Sequence, residues 1–142
     1  MKFAPALTTL AVFTSSSMAV TMTVSFDQFY DNETQSLATV ACSNGPNGLL
    51  TEGFTTFGSL PGFPNIGGAA AVAGFNSPNC GSCWQLTFQG RSINVLAIDH
   101  AASGFNIALE AMNTLTNDQA EFLGRINADA VQVPASSCGL ST

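Results

Sequence analysis

The chain has 142 residues and a formal net charge of −6, with 46% hydrophobic but only 8% charged residues. Soluble proteins average about 25% charged residues, so most of this protein's surface must be uncharged. The 9 acidic residues outnumber the 3 basic ones. This argues against binding to nucleic acid or anionic lipid, because both require clustered positive charge. The apolar composition argues against disorder, and the length suits one domain with a neutral or amphipathic partner.

Residues 1–19 have the pattern of a secretory signal peptide. Lys2 supplies the positive start, residues 3–13 are mostly apolar, and Ser17-Met18-Ala19 fits a small-x-small cleavage motif. An amphipathic first helix of the mature domain is the less favoured alternative. The apolar stretch is shorter than the roughly 20 residues of a membrane span, and no later stretch is longer. We therefore expect a secreted domain over residues 20–142, outside the cell or in its wall, with no membrane span.

The mature chain keeps four cysteines, at Cys42, Cys80, Cys83 and Cys138. An even number in a small secreted domain predicts disulfides, and four cysteines allow three connectivities, among which spacing does not choose. The CxxC motif at 80–83 also matches a redox site or half of a zinc site. The redox site would need a βαβ context and the zinc site a second CxxC, so structural disulfides are the favoured interpretation.

Hydrophobic periodicity predicts strands and two helices in the mature chain. We assign strands to 22–30, 37–42, 84–88, 92–98 and 129–134, with Gly90 suiting a hairpin turn. Helices are assigned to 106–115 and 117–123, the second after a capping-box spacing of Thr116 and Gln119 and before Gly124. The segment 54–74 is too rich in glycine and proline for a long helix. Early strands, then helices, then a last strand predict a β-rich α+β fold, a small barrel with helices at its side.

The sequence offers no familiar catalytic or metal-binding motif. His100 is the only histidine, and there is no HExxH, no Gly-x-Ser-x-Gly and no phosphate-binding loop. Asp99 and His100 follow an apolar strand and should lie at the rim of the barrel. Asp99 has three interpretations: it binds sugar hydroxyls, acts as a general acid, or caps the following turn. Glycosidic cleavage needs two carboxylates, and no spacing ties Asp27 or Asp31 to Asp99.

Aromatic faces offer another way to bind an uncharged glycan. For Trp84 we favour core packing beside a disulfide, whereas Tyr30 is expected to be exposed. Several phenylalanines of segment 54–75 lie in loops, and exposed ones would favour self-association. Asn32-Glu33-Thr34 is a candidate glycosylation site.

Distinctive motifs occur in order along nearly all of the mature domain. They are Phe26-Asp27 to Asn32, Val40-Ala41-Cys42-Ser43-Asn44-Gly45, Thr55 to Gly68, Cys80-Gly81-Ser82-Cys83-Trp84, Ile93 to Ala101, Gly104-Phe105-Asn106-Ile107 and Cys138-Gly139-Leu140. In these motifs the chain resembles the cerato-platanin family. The resemblance implies a six-stranded double-psi β-barrel with short helices and disulfides 42–80 and 83–138. It also implies a secreted fungal protein that binds chitin-type oligosaccharides, elicits plant defence and loosens cellulose without hydrolysis.

The resemblance also points to a site, because the family's glycan groove involves the aspartate of the Ile-Asp-His-Ala motif, here Asp99. The candidate carbohydrate-binding residues are Asp99, His100, Asn106, Tyr30 and Asp31. We predict a non-catalytic protein without cofactor or metal that binds chitin or other wall oligosaccharides. A host receptor and self-association are further candidate partners. The alternative is a weak glycan-cleaving enzyme with Asp99 as the general acid.

Overall fold

The computed structural model describes residues 18–141, together with 5–6, 8–9 and 11. Most of the predicted leader lies outside the described residues, so the domain boundary at residue 19 stays a prediction. Within the described part, no helix has the length and apolar character needed to cross a membrane.

Six strands close into a barrel with the order β1-β5-β2-β4-β3-β6. The strands are β1 (Val20–Phe26), β2 (Ile66–Ala69), β3 (Cys83–Phe88), β4 (Arg91–His100), β5 (Phe105–Ile107) and β6 (Arg125–Val133). The pairs β1–β5 and β2–β4 are parallel and the other four are antiparallel. Two helices, α1 (Leu109–Thr116) and α2 (Ala120–Leu123), precede β6. The predicted six-stranded double-psi barrel with short helices is confirmed.

The barrel is held together by alternate residues that point inward. In β6, Ile126, Ala128 and Ala130 are buried, whereas the residues between them are exposed. In β4 the run from Val95 to Ile98 is buried throughout, because helix α1 packs against that strand and covers it. The hairpin between β3 and β4 turns at Gln89 and Gly90, whose φ angles are 48° and 80°. A two-residue turn with both φ angles positive has the same twist as the strands it joins. The hairpin turn predicted at Gly90 is therefore confirmed.

Both predicted disulfides are present, Cys42–Cys80 and Cys83–Cys138. Their cysteines are 38 and 55 residues apart in sequence. In the chain-entropy model, each such loop stabilises the fold by about 4 kcal/mol. The first bridge anchors the segment that follows β1, which otherwise has little regular structure.

One predicted strand is wrong, and one predicted helix is present but starts later. Segment 37–42 is not a strand, because the Ser36 hydroxyl accepts from the Ala38 N–H and starts a 3-10 turn over Leu37–Thr39. Helix α1 begins at Leu109 rather than 106, because Phe105–Ile107 form β5 between β1 and β2.

Other element boundaries move, and besides β5 one more strand was not predicted. Strand β1 ends at Phe26, where Asp27 caps a 3-10 turn over Gln28–Asp31. Strand β6 begins four residues before the predicted start. Helix α2 begins at Ala120 rather than 117, because Asn117 and Asp118 have positive φ angles. Strand β2 was missed altogether.

Candidate functional site

A row of paired residues crosses five strands on the outer face of the barrel. Arg125 of β6 pairs with Ser25 of β1, and Ser25 pairs with Asn106 of β5. Asn106 pairs with Gly68 of β2, which pairs with Asp99 of β4. Their neighbours Val24, Ile126 and Ile107 are buried, so the side chains of Arg125, Ser25, Asn106 and Asp99 lie on the outer face. Gly68 has no side chain and is buried. The register brings Asp99 and Asn106, both predicted site residues, to the same end of the barrel.

The Asp99 carboxylate is half-buried and is occupied by internal hydrogen bonds. Its Oδ2 accepts from the Tyr30 hydroxyl at 2.9 Å. Its Oδ1 accepts from the backbone N–H groups of Ala41 at 3.0 Å and His100 at 2.9 Å. Asp99 therefore ties β4 to two segments that follow β1.

The expected exposure of Tyr30 is wrong, because only 4% of this residue is accessible. Its ring packs with Phe29 and Phe57, and its hydroxyl reaches Asp99. Burial, and next the negative charge and hydrogen bond of Asp99, raise the pKa of Tyr30 well above its usual value. Tyr30 therefore stays protonated and donates its hydrogen to the carboxylate.

Gly68 makes room for this contact. A Cβ atom at this position would lie 2.8 Å from the His100 carbonyl oxygen and 3.3 Å from the Tyr30 hydroxyl. The first distance is to backbone and cannot be relieved by a side-chain rotation. A residue without a side chain is thus required for β2 to lie this close to β4, and its small size also leaves room for the Tyr30 hydroxyl.

His100 and Asn106 face an open cleft of about 280 Å³ beside this cluster. The cleft is lined by Ser25, His100, Ala101, Ala102, Ser103, Asn106 and Arg125. The His100 Nδ1 lies 2.6 Å from the Val72 carbonyl oxygen, which can only accept, so Nδ1 carries the hydrogen and Nε2 is left for another partner. The Ser25 hydroxyl donates to Asn106 Oδ1 at 3.1 Å, which leaves the Asn106 NH₂ as a donor.

Asp31 is placed apart from this cleft. Its Oδ2 accepts from the Leu109 N–H at 2.8 Å, and its Oδ1 from the Glu110 N–H at 3.0 Å. It thereby caps α1, where Ala108 at the N-cap position offers no side-chain oxygen. Asp27 has a similar local role, because its Oδ1 accepts from the Phe29 N–H.

The other predicted residues have mixed outcomes. Trp84 packs against the core, with its ring 5.5 Å from that of Phe105 and its Nε1 donating to Ser82. Phe57 is buried, whereas Phe75 is 66% exposed. Asn32 lies on the surface, and its use as a glycosylation site stays a prediction.

Ser25, Ser103 and Arg125 line the cleft but were not predicted from the sequence. The polar face of the β1 alternation is the one signal that could have identified Ser25. Over the described residues, no group of three or more histidine, cysteine, aspartate or glutamate side chains is arranged to hold a metal ion.

Comparisons of the sequence and the fold with known proteins point to the same family as the sequence motifs. The cerato-platanin family model matches residues 22–140. The crystal structure of cerato-platanin 2 from M. perniciosa is 51% identical, covers 85% of this chain and 100% of its own, and superposes with a TM-score of 0.82. The heat-stable 19 kDa antigen of Coccidioides immitis (strain RS) is 46% identical over 129 residues, 90% of this chain and 88% of the antigen. The solution structure of the fungal elicitor Cerato-Platanin is 41% identical and covers 82% of this chain and 95% of its own, with a TM-score of 0.74. The chain belongs to the cerato-platanin family.

Proposed function

We propose that the protein is a secreted, non-catalytic carbohydrate-binding protein of the fungal cell wall. It takes chitin or other wall oligosaccharides, such as N-acetylglucosamine oligomers, in the cleft between His100 and Asn106. The observation that carries this proposal is an open polar cleft of about 280 Å³. Besides Arg125, the cleft is lined by serine, asparagine and histidine side chains that offer both donors and acceptors of hydrogen bonds.

Sugar hydroxyls donate and accept hydrogen bonds, so a glycan site needs both kinds of partner. The Asn106 NH₂ donates, the Ser103 hydroxyl does either, and His100 Nε2 accepts when the ring is neutral. The alanines at 101 and 102 add apolar atoms to the lining, against which the C–H face of a sugar ring can pack. Because the cleft is open, we expect weak binding, with Kd of about 1 mM.

Binding is favoured over glycan cleavage because the carboxylates near the site are already engaged. A general acid must deliver a proton to the substrate, but both Asp99 oxygens face internal donors. A second carboxylate is also needed. Asp27 and Asp31, the two candidates, each accept from backbone N–H groups. Asp99 therefore acts as a positioning residue that fixes the start of the loop after β4.

Elicitation of plant defence and expansin-like loosening of wall material belong to the same proposal. The relative described as a fungal elicitor supports the first of these activities. Recognition by a host receptor and self-association would use other surfaces. Phe122 and Phe75, which are 88% and 66% exposed, are suited to self-association because exposed aromatic rings favour contact with apolar surfaces.

An NMR titration with chitotriose up to about 10 mM tests the proposal, since millimolar ligands shift resonances at their site. We expect shifts at His100, Ser103 and Asn106, and their loss in Asn106→Ala. Asn127→Ala is the matched control, because Asn127 is an exposed asparagine of β6 outside the cleft. Unchanged spectra at the cleft would contradict the proposal.

Chromatography of the same samples separates binding from cleavage, because new oligosaccharide ends that disappear in Asp99→Ala would instead support the enzyme.

A further inference from the structure

The two arginines of the chain lie in different surroundings. Arg91 starts β4 at the exposed hairpin turn, whereas Arg125 starts β6 and lines the cleft. The third basic residue, Lys2, belongs to the predicted leader. The cleft thus contains one of the two arginines of the predicted mature domain, together with its only histidine.

Among the described residues, no carboxylate lines this cleft, although the chain has 9 acidic residues. Asp99 is next to His100 in sequence, but its oxygens are directed at Tyr30 and at two backbone N–H groups. Asp129 lies on the same face of β6 as Arg125, but four residues further on, about 13 Å along an extended strand. The lining of the cleft therefore carries the positive charge of Arg125 and no carboxylate. Asp27, two residues after Ser25, is the acidic residue that directly follows β1, and its Oδ1 accepts from the Phe29 N–H.

The strand register aligns the donors of the cleft. Arg125 and Asn106 lie on either side of Ser25 in neighbouring strands. The Ser25 hydroxyl donates to Asn106 Oδ1, so the Asn106 NH₂ and the Arg125 guanidinium both remain as donors. A planar guanidinium matches the two oxygens of a carboxylate better than it matches a neutral hydroxyl.

We propose, on the basis of the function proposed above, that the cleft prefers an acidic oligosaccharide, in which one sugar carries a carboxylate held by Arg125. Asn106, Ser103 and His100 bind the hydroxyls of the same or the next ring. The net negative charge of the protein opposes the approach of an anionic glycan. At about 0.15 M salt, however, charges more than roughly 8 Å apart are largely screened, so the local contact decides.

Calorimetric or NMR titration with three trisaccharides at this ionic strength tests the inference. They are trigalacturonic acid, its neutral methyl ester and chitotriose. We expect the acid to bind about tenfold more tightly than its ester, the effect of one charge-assisted contact. Arg125→Gln should remove this preference. Arg91→Gln, which changes the same residue type outside the cleft, should retain it.

The outcomes separate this inference from the proposed function. If acid and ester bind equally, or if Arg125→Gln retains the preference, the inference is overturned. Binding of chitotriose at the cleft would then still support the proposed function. If none of the three trisaccharides binds, both are overturned.

Discussion

Asp99 and His100 are neighbours in sequence, yet they belong to two regions with opposite properties. The Asp99 carboxylate, with buried Tyr30 and the N–H of Ala41, forms an internal cluster whose polar atoms are satisfied by one another. The cleft around His100, Asn106 and Arg125 is open to solvent and keeps donors and acceptors for a ligand. Under the proposed function, Asp99 shapes the site through its internal contacts, and its neighbours in the cleft bind the ligand. Variants in the two regions should therefore change different properties, namely stability in the first and affinity in the second.

The largest effect is expected from removal of the Cys42–Cys80 disulfide. Cys42 follows Ala41, so this bridge holds the segment that donates to Asp99. The double variant Cys42→Ser/Cys80→Ser should lose about 4 kcal/mol of unfolding free energy, because the unfolded chain is no longer constrained. Urea unfolding measures this loss. A decrease below about 1 kcal/mol would show that the bridge does not support the cluster.

Asp99→Asn should cost about 2 kcal/mol of unfolding free energy, because its three hydrogen bonds lose their charge assistance. Asp129→Asn is the matched control, since Asp129 is exposed and accepts only one long hydrogen bond, from Thr21 at 3.3 Å. Its effect should stay within about 0.5 kcal/mol. Equal effects of the two variants in urea unfolding would remove the distinction between the internal cluster and the surface.

The protonated state of Tyr30 predicts a loss of stability in alkaline solution. Its pKa is raised in the folded protein, so its contribution is complete below the ordinary value of 10.0 and falls as the pH rises above it. The unfolded chain loses this proton first, and stability should decrease by up to about 1.4 kcal/mol per pH unit. Because Tyr30 is the only tyrosine, phenolate absorbance reports its titration directly. Tyr30→Phe should lack this part of the pH dependence. Ordinary titration of Tyr30 near pH 10.0 in the folded protein would contradict the buried contact.

A smaller effect is expected at Asp31, which was predicted to bind carbohydrate but caps α1. Asp31→Ala should cost about 1 kcal/mol, because two N–H groups at the helix start lose their acceptor. Asp31→Asn keeps one acceptor oxygen and should cost less. Thermal unfolding measures both, and chitotriose affinity should be unchanged in each. A loss of chitotriose affinity without a loss of stability would show that Asp31 contacts the ligand.

The barrel was predictable where side chains alternate visibly, as in β1 and β6, and where an apolar run is bounded by a turn signal, as in β4. Strand β2 was not predictable, because Gly67 and Gly68 have no side chains that could show an alternation of apolar and polar residues. Its glycines are explained only by three-dimensional contacts, of Gly67 with the backbone of Asn106 and Ile107 and of Gly68 with His100 and Tyr30. Strand β5 has only three residues. Its Ile107 lies four positions before Ala111, a helical spacing, so the sequence analysis assigned part of this strand to the helix.

The candidate site was predictable only in part. Asp99, His100 and Asn106 were identified from the motif and are adjacent in the fold. The contact between Tyr30 and Asp99 joins residues 69 apart in sequence, and no local pattern predicts it. Arg125 enters the cleft through the register of β6 with β1. Periodicity assigns a residue to a face of a strand, but it does not show which strands become neighbours.

The most direct test measures stability and chitotriose affinity together in Tyr30→Phe and Asn106→Ala. We expect Tyr30→Phe to lose about 1.5 kcal/mol of unfolding free energy, the cost of one charge-assisted hydrogen bond, and to keep its affinity within about twofold. Asn106→Ala should keep its stability within about 0.5 kcal/mol and lose its affinity about tenfold. The reverse pattern, with affinity lost in Tyr30→Phe and retained in Asn106→Ala, would contradict the assignment of Asp99 to the framework and of its neighbours to the ligand.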